Sequence, residues 1–205
     1  MRRLVVATTN PDKILEIAAI LEGIPIELTT LSAFPPIAAP EETGRAFAEN
    51  ARLKAKYYAA ATGELTVAED SGLEIDALHG IPGVESARFG GIESTYPQKF
   101  ALIYDQLRKA HGEGSSARFV CALCLVRGSE ILFETEGTIE GQIAPDPAGS
   151  GGFGYDPIFF YPPFGQTLAE AADRKSAVSH RGAAFRAMRA YLGSYADAAS
   201  APQNR

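Results

Sequence analysis

Apolar positions along the chain change period several times, and each change marks an element. Leu4, Val5, Val6 and Ala7 form a continuous apolar run, the pattern of a strand covered on both faces, and Thr8-Thr9-Asn10 ends it. The period then lengthens. Ile14, Ile17, Ala18 and Leu21 mark one helical face, with Asn10 as N-cap, Pro11 as first helical residue and Gly23 as terminator. Ile24, Ile26 and Leu28 predict a second short strand. A long connection bearing Pro35, Pro36 and Pro40 leads to a helix over 43–61 that Gly63 ends. Phe47, Asn50, Leu53 and Lys54 share a face of that helix, so two polar side chains stand beside packing positions.

Leu65, Val67 and Ala68 predict a short strand that closes on a turn made by Glu69, Asp70, Ser71 and Gly72, after which Leu73 and Ile75 resume a period of two. Beyond a glycine-rich stretch, a helix over 97–110 carries Phe100, Ala101, Tyr104 and Leu107 as its buried stripe. Residues 117–126 are apolar on both faces and read as a central strand, which Arg127-Gly128-Ser129 turns into an antiparallel partner over 130–139. A short helix over 167–172 and a last one over 176–192 complete the ordered chain, and the small, polar tail from Ser194 reads as disordered. Strand–helix units combined with a hairpin predict an α/β fold with a mixed sheet flanked by helices, in one domain over 1–193.

The 205 residues, 46% apolar, are enough for one substantial core. A net charge of −6 and a pI near 5.2 argue against a surface for polymeric nucleic acid, although a single nucleotide needs only a few local cations. No apolar run reaches the roughly 20 residues of a membrane span, and the opening MRRLVVATTN is too short for a secretory signal. A soluble cytoplasmic protein with no membrane partner is the expectation. Cys121 and Cys124 are spelled CxxC, but on a strand they face opposite ways, which favours two buried thiols over a redox or zinc pair.

Five places carry candidate chemistry. Adjacent carboxylates at Glu69 and Asp70 can hold a divalent metal through oxygen, although an isolated EDSG would be an Asx-type turn. Glu41 and Glu42 either complement the dipole of the following helix or complete that metal site. Lys13 at a helix N-terminus forms a phosphate-binding arrangement, or is an ordinary solvated lysine. Phe153, Tyr155, Phe159 and Phe160 are interleaved with glycines in a loop that suits stacking on a planar base, and Lys175, His180 and Arg181 gather where a helix begins, favouring an anion.

Together these segments resemble one family over nearly the whole chain. TTNPDK at 8–13, EETGRAFAENARLKA at 41–55, EDSGLEIDAL at 69–78, GGFGYDPIF at 151–159 and KSAVSHRGAA at 175–184 are similar, in the same order, to the motifs of the inosine triphosphate pyrophosphatases. The resemblance implies an elongated mixed sheet, two lobes with the active site in the cleft between them, and a homodimer. It assigns the phosphate loop to Thr8, Thr9, Asn10, Pro11, Asp12 and Lys13, and the catalytic, metal-binding aspartate to Asp70. Ser71 becomes a substrate contact, and Phe153, Gly154, Tyr155 and Asp156 the base-binding loop. Lys175, His180 and Arg181 supply the remaining nucleotide contacts. Two departures stand out: Glu69 where many members have aspartate, and Thr9 where a glycine is common.

The reaction so implied is hydrolysis of ITP, dITP and XTP between the α- and β-phosphates, giving monophosphate and pyrophosphate. Mg²⁺ is assigned to Asp70 with Glu41 or Glu42, since that ion keeps several waters and uses few protein carboxylates. Asp70, with Glu69, orients and deprotonates the water, while Lys13, Lys54, Lys175 and Arg181 offset phosphate charge. His180 and Arg181 are placed near the 6-keto oxygen of the base, Phe153 stacks on it, and Asp156 holds the loop or accepts a base N–H. The competing readings are a related septum-inhibitor-like pyrophosphatase with another base preference, and a non-catalytic nucleotide sensor.

Overall fold

Seven strands form one mixed sheet in the order β2-β1-β3-β4-β5-β6-β7 in a computed structural model that describes residues 3–200, with side chains to Ser194. Along the chain these are β1 (Arg3–Val6), α1 (Pro11–Ile20), β2 (Glu27–Thr30), α2 (Phe47–Thr62), β3 (Leu65–Ile75), α3 (Tyr96–Lys109), β4 (Ser116–Arg127), β5 (Glu130–Ile143), β6 (Phe159–Tyr161), β7 (Gln166–Thr167), α4 (Ala172–Val178) and α5 (His180–Ser200). The α/β class and the mixed sheet agree with the sequence pattern. β1 runs parallel to β2 and to β3, whereas β6 is antiparallel to β5 and β7.

The chain divides into two units. One comprises Met1–Asp70, Ala122–Glu136 and Arg181–Arg205; the other comprises Ser71–Cys121 and Gly137–His180. In the first, β1 is buried along Leu4, Val5 and Val6, and Ile17, Leu21, Phe47, Ala55, Val67, Phe185, Met188 and Leu192 are buried as well. The second has a core of Leu73, Ile75, Phe100, Ile103, Leu107, Phe119, Ile143, Tyr155, Ile158, Phe159 and Leu168.

Several predicted elements are corrected. Residues 69–72 are not a turn: β3 runs through them without a break for 11 residues. Gly72 serves close packing there, because a Cβ at that position would collide with the Ser86 side chain and the Gly83 carbonyl, and Ser86 Oγ accepts the Leu73 N–H at 2.9 Å. α2 starts at Phe47 and not at 43, so Glu41 and Glu42 lie outside it. Its entry is satisfied from within, by Gly44 N donating to Asn50 Oδ1 and Arg45 N to Glu49 Oε2, both at 2.8 Å.

At the other end, 167–172 is no helix. Thr167 closes β7, and Glu170 Oε2 accepts from the Thr167 N–H. The last predicted helix is two, separated by Ser179 with extended backbone (ψ 145). The backbone of α5 continues to Ser200, past the point where the tail was expected to begin, and 201–205 lie outside the described residues.

Candidate active site

β1 delivers the chain to the start of α1, and the cap there is the one the sequence predicts. Asn10 Oδ1 accepts the N–H groups of Asp12 (3.0 Å) and Lys13 (3.2 Å), with Pro11 in the first turn. Thr8 Oγ1 accepts the Asn10 N–H at 3.2 Å. Thr9 is exposed, and the positive-φ residues other than glycine among those described are His79 and His111, so Thr9 sits in backbone any residue can adopt. Asp12 is exposed, and Lys13 leaves the helix half-buried.

Because β3 is a strand, its two adjacent carboxylates point to opposite faces. Glu69 is buried and takes Lys13 Nζ at 2.7 Å and the Arg181 guanidinium at 3.4 Å, and Arg181 also donates to Glu16 Oε2 at 2.9 Å. Burial alone would raise the pKa of Glu69, but the charges of Lys13 and Arg181 outweigh it and hold the group well below the usual carboxylate range. Glu69 is therefore fixed as an anion and is a poor proton acceptor. The alternation of the strand separates it from Asp70, so the two carboxylates have different partners.

Asp70 faces α2. Its Oδ1 accepts Lys54 Nζ at 2.7 Å, its Oδ2 accepts Asn50 Nδ2 at 3.2 Å, and Lys54 also donates to Glu42 Oε1 at 2.8 Å. The Gly44 N–H occupies Asn50 Oδ1 and so turns the amide NH₂ toward Asp70. Burial raises the pKa of Asp70, the nearby Glu42 charge adds to the rise, and Lys54 and Asn50 oppose it without cancelling it. For Lys54 burial works downward, yet Asp70 and Glu42 prevail and its pKa is raised, so it stays an ammonium. The sequence left Glu41 and Glu42 as alternatives. The structure joins Glu42 to this cluster, whereas Glu41 is exposed.

The fit to a divalent metal follows from the donors. Asp70 and Glu42 converge on one cation, the Lys54 ammonium, and present carboxylate oxygens only. Two such carboxylates suit a hard ion that keeps most of its water.

The second unit holds the glycine-rich loop. Asp156 is buried; its Oδ2 accepts the Phe153 N–H at 2.9 Å and Lys175 Nζ at 2.6 Å, and that ammonium lies 4.4 Å from the centre of the half-buried Phe153 ring. Asp156 thus pins the loop, and Lys175, predicted as a phosphate cation, is part of the same support. Gly154 takes φ +73, outside the range comfortable for side chains. Tyr155 is scaffold: it is buried, and its hydroxyl donates to the Ser86 carbonyl at 2.8 Å. Phe159, also offered as a stacking ring, is in the core against Phe119.

His180 and Arg181 diverge. Adjacent residues on a helix point about 100° apart. His180 stacks on Phe119 in the second unit at 5.0 Å, while Arg181, 1% exposed, belongs to the carboxylates of the first. In this structure the Arg181 guanidinium is paired with Glu69 and Glu16. Ser71 follows Asp70 on β3 and is half-buried. Sequence reasoning missed Glu16; its signal was the three-residue spacing from Lys13, which puts both on one face of α1. A cavity of about 790 Å³ in the second unit, beside Phe100, Tyr104 and Ile143, contains none of these ionisable groups.

Comparison with known proteins gives concordant matches. A model of the Ham1 family matches residues 4–191. A dITP/XTP pyrophosphatase of Exiguobacterium sp. is 46% identical over 192 residues, 93% of this chain and 96% of that protein. One from Geobacter sulfurreducens is 45% identical over 196 residues, 94% and 98% of the two chains. Among solved structures, a HAM1 protein from Coxiella burnetii superposes with a TM-score of 0.87 at 36% identity, covering 95% of this chain and all of the other. A nucleoside-triphosphatase / dITP/XTP pyrophosphatase from Mycobacterium abscessus gives 0.73 at 40% identity, covering 93% and 98%.

Proposed function

The chain belongs to the Ham1 family, and from that membership and the ionisable cluster on β3 we propose that it hydrolyses dITP, XTP and ITP to the monophosphate and pyrophosphate. The observation that carries the reading is the division of labour between two neighbouring carboxylates. Glu69 is locked as an anion by Lys13 and Arg181, while Asp70 has its pKa raised toward the range useful to a general base.

In this reading a water gives its proton to Asp70 as its oxygen attacks the α-phosphorus, and the bond to the bridging oxygen breaks to release pyrophosphate. Asn50 and Lys54 fix the Asp70 carboxylate, one on each oxygen, so it is oriented before substrate arrives. Lys13 and Lys54 supply positive charge to the phosphates; Glu69 and Glu16 hold Lys13 and Arg181 in place. Asp70 and Glu42 would hold Mg²⁺, which when bound would neutralise part of the charge of the polyanion. Lys175 covers one face of Phe153, and the purine stacks on the other. His180 is the donor assigned to the 6-keto oxygen, which adenine lacks. A site built for that oxygen leaves its donor unpaired against ATP.

No helix among the described residues is long and apolar enough to cross a membrane. Cytoplasmic residence and a homodimer complete the proposal, on the family likeness.

The test is pyrophosphate release from dITP, XTP, ITP and ATP, with Mg²⁺ and with chelator. The keto substrates are expected to exceed ATP in kcat/KM by about 10²-fold or more, the scale of a buried hydrogen bond left unmade. Equal values for ATP and ITP would overturn the base preference, and a nucleotide bound without pyrophosphate release would favour a sensor.

A further inference from the structure

Within the second unit, one exposed aromatic is held more firmly than its exposure requires. Tyr96 opens α3, where Thr95 and Gln98 form a capping box, with Thr95 N donating to Gln98 Oε1 at 2.8 Å, so its backbone is fixed. The residue is 40% exposed, yet its ring sits edge-on to Tyr155 at 5.4 Å and 89°, and tilted against Phe100 at 6.1 Å. The Lys99 ammonium lies 5.1 Å from its centre and donates to the Ala87 carbonyl. Tyr155 is itself immobilised by its bond to the Ser86 carbonyl.

What Tyr96 faces is the joint of the glycine-rich loop. Phe153 is held by Asp156 on its backbone N–H, and Tyr155 by the core, which leaves Gly154 between them at φ +73. The atoms nearest to where a Cβ on Gly154 would lie all belong to Tyr96: Oη at 3.6 Å, then Cζ and Cε1. A glycine at positive φ is the position where backbone turns most freely, and here an aromatic ring stands beside it with about the space of a methyl group between them.

We propose that Tyr96 is a positioning residue for the base. Its ring packs edge-on against Tyr155 beside Gly154, fixing the height of Phe153 and with it the platform on which the purine stacks. This rests on the reading of Phe153 as the base platform. The chemical class recognised is a purine nucleotide; a triphosphate without a base gains nothing from Tyr96.

The test compares wild type with Tyr96→Ala and Tyr96→Phe in steady-state hydrolysis of dITP and XTP, in calorimetric binding of IMP, and in inhibition by inorganic triphosphate. Removing the ring is expected to raise KM and the Kd for IMP about three- to tenfold, the worth of an aromatic pair. kcat should stay within about twofold and triphosphate inhibition should not change. Tyr96→Phe keeps the ring and should retain wild-type affinity. If Tyr96→Ala does not fold, Tyr96→Leu removes the ring while keeping apolar bulk. Unchanged IMP affinity without the ring overturns the proposal, as does an equal loss of triphosphate inhibition or a Tyr96→Phe enzyme as weak as Tyr96→Ala. A wild type that does not bind IMP overturns this proposal together with the proposed function. A wild type that binds IMP with only the Tyr96 prediction failing leaves that function standing.

Discussion

The Lys54 ammonium lies 2.7 Å from Oδ1 of Asp70, a contact between α2 and β3 across 16 positions of sequence. Lys54 also reaches Glu42, so one cation separates two carboxylates that would otherwise repel. Asp70→Asn should lower kcat by about 10²- to 10³-fold or more, as expected when a general base is removed. Lys54→Met should instead move the acidic limb of the pH–rate profile to higher pH. The sign follows from Asp70 acting as the anion. Activity falls as pH drops through its pKa, and without Lys54 that already raised pKa rises further. An acidic limb at unchanged pH would remove Lys54 from this role.

Glu42 and Glu41 are adjacent, but only Glu42 is tied to Lys54 and through it to Asp70. Glu42→Gln should weaken activation by Mg²⁺ by about tenfold, and Glu41→Gln should leave it within about twofold. Titration of activity with Mg²⁺ decides the matter; the opposite ranking would restore Glu41 as the ligand.

Glu69 makes a linkage prediction. Its folded pKa is depressed well below the unfolded value of about 4.3, so its stabilising effect is fully present above that value and is lost as pH falls toward the folded pKa. Glu69→Gln should cost about 3 kcal/mol at pH 7, because it leaves Arg181 buried without one of its carboxylates. In denaturant titrations the gap between wild type and variant should be flat from pH 7 down to about 5 and narrow below pH 4. A gap independent of pH would show that Glu69 stabilises by packing alone.

Cys124 is 1% exposed, and burial, with the Glu134 charge, pushes its thiol up to about 12. Since the thiolate is the reactive species, Cys124 should resist iodoacetamide at pH 8 in the folded protein and react once denatured. Mass spectrometry of the labelled chain reads this directly, and rapid labelling of the native protein would contradict it.

Local chemistry settled much of this protein in advance. The Asn10 cap and Pro11 start α1 where the sequence places it, because a cap is made by a side chain and N–H groups two and three residues away. The continuous apolar runs at Leu4–Val6 and in β4 are buried strands, since such runs have no polar face to expose. Asp70, Lys13 and Phe153 stand out in the sequence because they lie within motifs. Tertiary structure decided the rest. EDSG spells a turn, yet β3 continues through it, because each carboxylate finds cations on its own face and Ser86 packs against Gly72. Likewise, adjacency along the chain at Glu69-Asp70 and at His180-Arg181 does not mean shared surroundings. Neighbours in a strand point to opposite faces, and neighbours on a helix point about 100° apart, so what each meets depends on which elements are packed there. Glu16 and Tyr96 carry no motif, and their contacts exist only once α1 meets Arg181 and α3 meets Tyr155.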